Sequence, residues 1–214
     1  MNRQCADRLH AGIVQLGLSL DSVVEQQLLG YLELLAKWNR VYNLTAIRDE
    51  QAMVSQHLLD SLAVIPYVNE NSDQTKTLAD VGSGGGLPGI PLAIARPELT
   101  VVLIESSQKK ASFLQQVKIE LQLLNVSVHC VRVEDFKPAE LFDRVITRAF
   151  SSLADFVLQS SHLLAASGRL LAMKGLYPEQ EVAELPSTWR VRQSITLVVP
   201  QIDAQRNLIV IEKT

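Results

Sequence analysis

The hydrophobic pattern of the first seventy residues is typical of helices. In LSLDSVVEQQLLGYLELLAKWNRVYNLT, apolar side chains recur every three or four positions, and Ser19 and Asp21 precede them as candidate N-caps. The pattern predicts a long helix that ends near Asn39, with NRVYNLTAIRD as a loop after it. A second helical stretch, EQAMVSQHLLDSLAVIPYV, comes next, and the polar segment 69–76 indicates a linker.

From Thr77 onward, apolar strand-like runs alternate with helical ones. The strand-like runs are TLADVG, TVVLIE, VSVHCVRV, FDRVITRA and RLLAMKG. Such alternation predicts an α/β fold: a doubly wound, mostly parallel sheet with helices on both faces. Two further runs, WRVRQSITLVV and RNLIVIEK, lie close enough together to predict an antiparallel pair at one edge. We therefore predict an N-terminal helical cap over residues 1–70 and one compact α/β domain over residues 77–214.

A glycine-rich turn follows the first predicted strand, in LADVGSGGGLPGIPLAIARPE (78–98). Turns of this kind bind dinucleotides, nucleoside triphosphates or S-adenosylmethionine. The dinucleotide spacing fits only from Gly84 onward, which carries the loop past Pro88 into the predicted helix, so that fingerprint is weak. A triphosphate loop requires lysine where Ile90 stands, which excludes it.

S-adenosylmethionine fits the remaining pattern. Asp80 ends the strand, and Gly82, Gly84 and Gly86 allow the backbone to approach a ligand where a Cβ would clash. Backbone amides at the turn can bind the ligand's carboxylate, and Asp80 can offset its cationic end. Pro88 suits the first turn of the helix that follows.

Acidic residues after the next two strands indicate a nucleoside. Glu105 ends TVVLIE about 20 residues beyond the turn, where a carboxylate can accept hydrogen bonds from ribose hydroxyls. NAD sites share this feature, so it indicates a ribose without separating the ligands, and a solvated acid at a strand end is the alternative. After the third strand, RVEDF places Glu134 or Asp135 near an adenine edge; an ordinary charged turn is an equally good interpretation.

Two cations are expected at the carboxyl ends of the fourth and fifth strands, where a doubly wound sheet places its ligand crevice. Arg148 can face the donor, the acceptor base or a phosphate, unless a salt bridge to Asp143 or Glu105 occupies it. Lys174, in AMKG, is placed to meet a phosphate. Arg148 and Lys174 are therefore the candidate catalytic residues.

The helical part of the chain contributes further polar candidates. Arg40 and Arg48 flank the YNLT loop, in which Asn43 can donate to a base edge or cap a helix. His57 and Asp60 are three residues apart on one predicted helix. For this pair, hydrogen bonding within the core is favoured over catalysis.

The charge balance limits the choice of substrate. The 214 residues carry a net charge of −3 with a pI near 5.8, whereas nucleic-acid-binding proteins are usually basic. A nucleic-acid substrate therefore requires a local basic face, with these candidates: Arg40, Arg48, Arg132, Arg144, Arg148 and Lys174. The sequence has no apolar run of membrane-spanning length and no signal-like N-terminus, which predicts a cytoplasmic protein. Cys5 and Cys130 form no metal-spaced pair, and no metal is expected.

Six segments together resemble one known family: GSGGGLPGIPLAIARPE, RVEDF, FDRVITRAFSSL, AMKG, WNRVYNLTAIRD and HLLDSLAV. It is the bacterial ribosomal RNA small-subunit methyltransferase G family, also called the glucose-inhibited division protein B family. The resemblance runs from about Leu28 to Glu212 and implies a Rossmann-like class I methyltransferase. Such an enzyme transfers a methyl group from S-adenosylmethionine to N7 of one guanine in 16S ribosomal RNA and releases S-adenosylhomocysteine. The implied partner is 16S ribosomal RNA or the small subunit, with a monomer favoured and no obligate protein partner.

The resemblance implies donor contacts at five positions: Gly82, Leu87, Val133, Glu134 and Arg148. Gly84 and Glu105 follow from the turn and strand pattern and agree with it. Family members often have proline where this sequence has Gly85, which leaves the contacts available.

The sequence lacks the motifs of two other methylation chemistries. It contains neither the Asp/Asn-Pro-Pro-aromatic string of amino-group methyltransferases nor the Pro-Cys of covalent pyrimidine methylases. Guanine N7 has a lone pair and no proton, so its methylation requires alignment but no strong general base. Two alternatives stay open: a small-molecule methyltransferase, which the acidic pI favours, and a non-enzymatic module that only binds the donor.

Overall fold

The computed structural model describes residues 3–68, 75–148 and 150–214, so most of the predicted linker (69–74) lies outside the described residues. The helices are α1 (Arg3–Gln15), α2 (Ser22–Tyr42), α3 (Glu50–Met53), α4 (Asp60–Leu62), α5 (Ile65–Val68), α6 (Gly89–Ala95), α7 (Gln108–Glu120), α8 (Leu153–Ser160) and α9 (Glu179–Ala183). A π-helical segment, Val54–Leu59, joins α3 to α4, and 3-10 turns occur at Val133–Asp135 and Ser161–Leu163. The strands are β1 (Thr77–Val81), β2 (Thr100–Ile104), β3 (Val126–His129), β4 (Phe142–Thr147), β5 (Leu164–Lys174), β6 (Trp189–Thr196) and β7 (Asn207–Lys213).

In the described part of the chain, the strands form one seven-stranded sheet in the order β3-β2-β1-β4-β5-β7-β6. Strands β1 to β5 pair in parallel, with Asp80 of β1 between Leu103 of β2 and Ile146 of β4. Strand β7 pairs antiparallel with both β5 and β6. The predicted doubly wound sheet with an antiparallel edge is therefore confirmed. The winding reverses between β1 and β4, which places a ligand crevice outside their carboxyl ends.

Helix α2 is longer than its hydrophobic pattern predicts because both of its ends are capped. Asp21 accepts a hydrogen bond at 2.9 Å from the amide of Val24, which confirms it as the N-cap. At the other end, Asn43 has a left-handed φ of 50°, and its amide donates to the carbonyl of Asn39. The helix therefore continues to Tyr42, and the predicted end near Asn39 is wrong.

Strand β3 is shorter than the apolar run that predicted it. The run VSVHCVRV suggests a strand up to Val133, but the strand ends at His129. The chain then forms the 3-10 turn Val133–Asp135, and Val133 is buried in the core instead of extending the sheet. This turn brings the RVED segment to the edge of the sheet where β1 and β2 end.

The hydrophobic core covers both faces of the sheet. Neighbouring strand residues point to opposite faces, so Leu78 packs with the N-terminal helices, whereas Ala79 packs with Phe156 of α8. Leu9 of α1 and Tyr31 of α2 are fully buried in the same cluster as Leu78. The helical cap and the first face of the sheet therefore share one core.

The structure also bears on membrane-spanning helices and on the two cysteines. In the described residues, no helix is both long enough and apolar enough to cross a membrane. Both cysteines are free, Cys5 buried and Cys130 exposed, as the spacing suggested.

Candidate active site

The glycine-rich turn after β1 adopts a backbone that favours glycine. Gly82, Gly84 and Gly86 have φ angles of 68°, 57° and 89°, in the left-handed region that other residues rarely adopt. A Cβ on Gly86 would lie 2.6 Å from Cγ1 of Ile90, whereas a Cβ on Gly82 would enter open space. Packing therefore requires Gly86, while Gly82 leaves free space beside the turn that a ligand can fill.

Two side chains fix the turn from opposite sides. Glu105, at the end of β2, accepts hydrogen bonds at 2.8 Å from the amides of Gly84 and Ser107, one on each carboxylate oxygen. From the cap, the hydroxyl of Tyr31 donates to the carbonyl of Gly85 at 2.6 Å. The structure thus brings Glu105 to the turn, and its contact with ribose hydroxyls stays a prediction. The role of Tyr31 was missed because in the sequence it is one more apolar position of a helix.

Asp80 lies beneath the turn with half of its carboxylate unused. It is fully buried, and its Oδ2 accepts a hydrogen bond at 2.8 Å from the amide of Gly89. Its Oδ1 is buried and has no hydrogen-bond partner among the described residues. Burial raises the pKa of Asp80 to about 7, although the Gly89 amide and the Arg148 cation act in the opposite direction. An unpaired buried oxygen is costly, so a cationic ligand group at this position would stabilise it. The residues present therefore fit S-adenosylmethionine.

A cavity of about 190 Å³ opens beside this turn, and we call it the glycine-side cavity. Its lining includes Gly82, Val133 and Glu134, three of the predicted donor contacts, together with Phe150. Glu134 is exposed, and hydrogen bonds from its own amide and from Arg132 lower its pKa. The structure therefore unites residues from the ends of three predicted strands at one cavity.

Leu87 occupies a different environment. Its side chain is buried in the core on the cap side of the sheet and lines neither this cavity nor the one described next. The donor contact that the resemblance implies at Leu87 stays a prediction, and the backbone is the part of this residue that can make it.

A second cavity, of about 270 Å³, lies between the cap and the ends of β5 and β7, and we call it the cap-side cavity. Its lining includes Asp60, Arg148, Lys174 and Arg206. Arg206 was missed by the sequence analysis, although it directly precedes an antiparallel strand whose amino end meets the crevice. That topology is the signal that would have found it.

Arg148 is paired with the cap. Its Nη1 lies 3.4 Å from Oδ2 of Asp60 and 3.3 Å from the carbonyl oxygen of Gln56. The alternative prediction, a salt bridge from Arg148 to Asp143 or Glu105, is wrong. Asp143 lies at the amino end of β4 and accepts hydrogen bonds from the amides of residues 76 and 77. Glu105 accepts a hydrogen bond from the glycine turn.

The π-helical segment explains how one cap carbonyl becomes available to Arg148. The amide of Asp60 donates to the carbonyls of Ser55 and His57, which skips the carbonyl of Gln56. That oxygen, which does not receive the Asp60 amide, accepts a hydrogen bond from Nη1 of Arg148. The segment therefore links the cap to the end of β4 through a backbone atom, which side-chain patterns in the sequence do not reveal.

His57 has a structural role in this network. Its Nδ1 lies 3.0 Å from the carbonyl of Gln56, so Nδ1 carries the proton and Nε2 accepts from the Thr45 hydroxyl at 2.9 Å. Burial, and then the Arg148 cation, lower the pKa of His57 to about 4. For His57, the prediction of hydrogen bonding within the core instead of catalysis therefore agrees with the structure. Asp60 differs because its carboxylate lines a cavity; burial raises its pKa above the usual range, and Arg148 and Arg206 offset that rise only in part.

Lys174 lines the crevice, as predicted, but its charge is matched within the chain. Its Nζ lies 2.8 Å from Oε2 of Glu181 and donates to the carbonyl of Phe150 at 3.2 Å. A phosphate would therefore have to replace Glu181 as the partner of Lys174.

The predicted basic face forms only in part. Arg144 is buried, and its Nε donates to the carbonyl of Val68 toward the amino end of β4, so its assignment to the ligand side is wrong. Arg40 and Arg48 line a separate cavity of about 170 Å³ on the cap. Across residues 3–68, 75–148 and 150–214, no group of three or more His, Cys, Asp or Glu side chains is arranged to hold a metal ion.

Two solved structures of similar fold are methyltransferases. An S-adenosylmethionine-dependent methyltransferase from Aquifex aeolicus matches with a TM-score of 0.61 and 15% identity, over 83% of this chain and 97% of that chain. The glycopeptide N-methyltransferase MtfA, solved with S-adenosylmethionine, matches with a TM-score of 0.60 and 12% identity, over 72% and 87% of the two chains. At these identities the likeness establishes the fold class, which is the Rossmann-like fold of these methyltransferases.

Sequence comparison identifies the family. A family model described as rRNA small subunit methyltransferase G matches residues 24–209. The ribosomal RNA small subunit methyltransferase G of Azoarcus sp. (strain BH72) is 54% identical over 97% of this chain and 96% of its own length. The protein of the same name from Pseudomonas aeruginosa (strain LESB58) is 49% identical over 98% and 96%. The chain belongs to the rRNA small subunit methyltransferase G family, as the resemblance predicted.

Proposed function

We propose that the protein transfers a methyl group from S-adenosylmethionine to N7 of a guanine in 16S ribosomal RNA and releases S-adenosylhomocysteine. The observation that supports this most strongly is the pair of cavities at one edge of the sheet. The glycine-side cavity adjoins the turn above Asp80, and the cap-side cavity is lined by the cations Arg148 and Arg206. Arg148 directly follows β4, so a donor and an acceptor in the two cavities would meet beside it.

On the glycine side, each part of the site has a proposed role toward the donor. The turn allows close backbone approach at Gly82 and Gly84, and the unpaired Oδ1 of Asp80 suits a cationic group. Glu105 uses two hydrogen bonds of the roughly four that a carboxylate can accept, so it can also bind ribose hydroxyls. The 3-10 turn Val133–Asp135 then lies at the adenine end.

The chain's part in the reaction is alignment. When bound, S-adenosylmethionine supplies a methyl group on a cationic sulfonium. Guanine N7 has a lone pair and no proton, so a strong general base is not required. Arg148, held by Asp60 and Gln56, is placed to orient the acceptor base or the donor, and Lys174 is placed to meet a phosphate.

We also propose that residues 1–70 form the side of the molecule that faces RNA, with Arg40 and Arg48 near the YNLT loop. Because the net charge is −3, binding depends on local cations and should weaken steeply with salt. Weak binding to free RNA would indicate a partly assembled subunit as the substrate. The expected state is a cytoplasmic monomer.

The test is transfer from labelled S-adenosylmethionine to small ribosomal subunits that lack the modification, with 7-methylguanosine mapped by chemical cleavage. Label at one guanine of 16S ribosomal RNA is the expected result. Label in a metabolite pool, with none in RNA, would indicate a small-molecule methyltransferase. Donor binding without transfer to any RNA would indicate a binding module.

A further inference from the structure

The cap-side cavity contains a buried carboxylate to which the proposed mechanism gives no contact with substrate. Among its described lining residues, Asp60 is the one carboxylate, and it is 3% exposed. Its Oδ1 accepts from Nε of Arg206 at 3.0 Å, and its Oδ2 lies 3.4 Å from Nη1 of Arg148. Two guanidinium groups on opposite oxygens hold the carboxylate in one orientation.

This carboxylate still has capacity to accept hydrogen bonds. An ionised carboxylate offers about four lone-pair positions, and Arg148 and Arg206 occupy one on each oxygen. One position on each oxygen is therefore available. The ligand that uses both has two adjacent N–H donors, spaced as the two oxygens are.

Guanine is the RNA base that presents such a pair. Its Watson–Crick edge carries N1–H beside the N2 amino group, whereas adenine, cytosine and uracil each present a single donor group on that edge. Enzymes that modify a base commonly turn it out of the nucleic acid and read this edge in a pocket. N7 lies on the opposite side of the purine, so a guanine held in this way leaves N7 accessible.

We infer that Asp60 recognises the target base by accepting hydrogen bonds from N1–H and N2–H of guanine, with Arg148 beside it placed to donate to O6. This inference rests on the proposed function, and it assigns the cap-side cavity to the acceptor base. It also explains why a cavity rich in cations contains a buried carboxylate at a fixed position.

The same contact assists the reaction. As the N7–methyl bond forms, the carbon–sulfur bond breaks, and its electron pair stays on sulfur. The positive charge moves from sulfur to the purine, and no proton leaves. A cationic purine donates more strongly from N1–H, so its hydrogen bond to the Asp60 carboxylate strengthens in the transition state. Loss of the contact should therefore lower kcat and base selectivity.

A positioning role for Asp60 makes a different prediction. If Asp60 only holds Arg148, the donor groups of the base should not affect turnover. Inosine tests this with the unaltered enzyme, because it lacks the N2 amino group and retains N7, O6 and N1–H. Small subunits are assembled with guanosine or inosine at the mapped target, and both rates are normalised to chemical methylation of the two nucleosides.

The expected result is a kcat/KM for inosine that is lower by on the order of tenfold to a hundredfold, as for loss of a hydrogen bond to a charged group. Equal rates on the two substrates would overturn the inference while leaving the proposed function intact. Absence of transfer to guanosine subunits would instead contradict the proposed function.

The Asp60→Asn variant extends the test. It should turn over guanosine substrate more slowly, mainly through kcat, and most of the wild-type preference for guanosine over inosine should disappear. Asp143→Asn is the matched control, since Asp143 accepts hydrogen bonds from backbone amides at the amino end of β4, away from the crevice. The control should retain the full preference. An undiminished preference in a folded Asp60→Asn variant would contradict the inference.

Discussion

The glycine-side and cap-side cavities both lie at the carboxyl ends of the parallel strands, but different parts of the chain form them. The first adjoins a backbone turn, the left-handed glycines after β1; Gly82 lines the cavity, and Glu105 at the end of β2 accepts a hydrogen bond from a turn amide. The second is built from side chains that are distant in the sequence, with Asp60 between Arg148 and Arg206. The comparison indicates that a backbone turn can serve one common ligand in many proteins, whereas an assembled side-chain network makes a site specific to one substrate.

The largest expected effect comes from filling the free space at Gly82. The Gly82→Val substitution should abolish S-adenosylmethionine binding by steric occlusion, measured by calorimetry. Gly17→Val is a matched control, because Gly17 has the same φ of 68° and also has open space around its Cβ position. If both variants fold and both bind the donor normally, the glycine-side cavity is not the donor site.

The next effect concerns the pH dependence of stability on the cap side. The pKa of His57 is lowered from 6.5 to about 4 in the folded state, so the unfolded chain binds its proton at higher pH. The contribution of neutral His57 to the free energy of unfolding is therefore fully present above about pH 6.5 and is lost as the pH falls toward 4. At pH 5 the loss is about 2 kcal/mol. The raised pKa of Asp80 acts in the opposite direction, which makes a difference measurement necessary.

Urea unfolding of the wild type and of His57→Gln at pH 7.5 and pH 5 provides that difference. The wild type should lose about 2 kcal/mol more than the variant on acidification. Equal losses in both proteins would show that the environment of His57 differs from the one described.

Arg148 lines the cap-side cavity and follows β4, the strand between β1 and β5, so its removal should affect turnover directly. Arg148→Ala should lower methyl transfer at least about tenfold, which corresponds to about 1.4 kcal/mol of barrier. Arg96→Ala serves as the control, because Arg96 pairs with Glu98 just after α6, away from the crevice. Near-normal turnover of Arg148→Ala would refute its assignment to the site.

The smallest effect is expected at the contact between cap and turn. Tyr31→Phe leaves the carbonyl of Gly85 without its 2.6 Å hydrogen bond and should cost about 1 kcal/mol of unfolding free energy. Donor affinity should fall only a few-fold. Tyr42→Phe is the control, because Tyr42 is exposed and its change should be close to neutral. Identical stability of the two variants would mean that Tyr31 does not brace the turn.

The sequence predicted the glycine-side elements well because their signals are local. Asp80, the glycines and Glu105 follow one another within two strands, and parallel pairing then determines their proximity. The predicted end of β3 is wrong, since an apolar run does not distinguish a strand from a 3-10 turn that buries Val133.

The cap-side network was largely missed because its contacts cross long stretches of chain. Arg148 meets a residue 88 positions away, and Arg206 meets the same carboxylate from 146 positions away. Nothing local marks Asp60 as their shared partner. The expectation that Arg144 faces the ligand is wrong for a related reason: Arg144 lies near the amino end of β4, and a buried arginine that bonds a backbone carbonyl has no sequence signature.

The measurement that tests ligand binding at the glycine turn most directly is calorimetric titration of the full chain with S-adenosylmethionine, NADH and ATP in turn. Saturable heat with S-adenosylmethionine, and none with the two phosphate ligands, is the predicted result. Saturation by NADH or ATP, with no heat from S-adenosylmethionine, would contradict it.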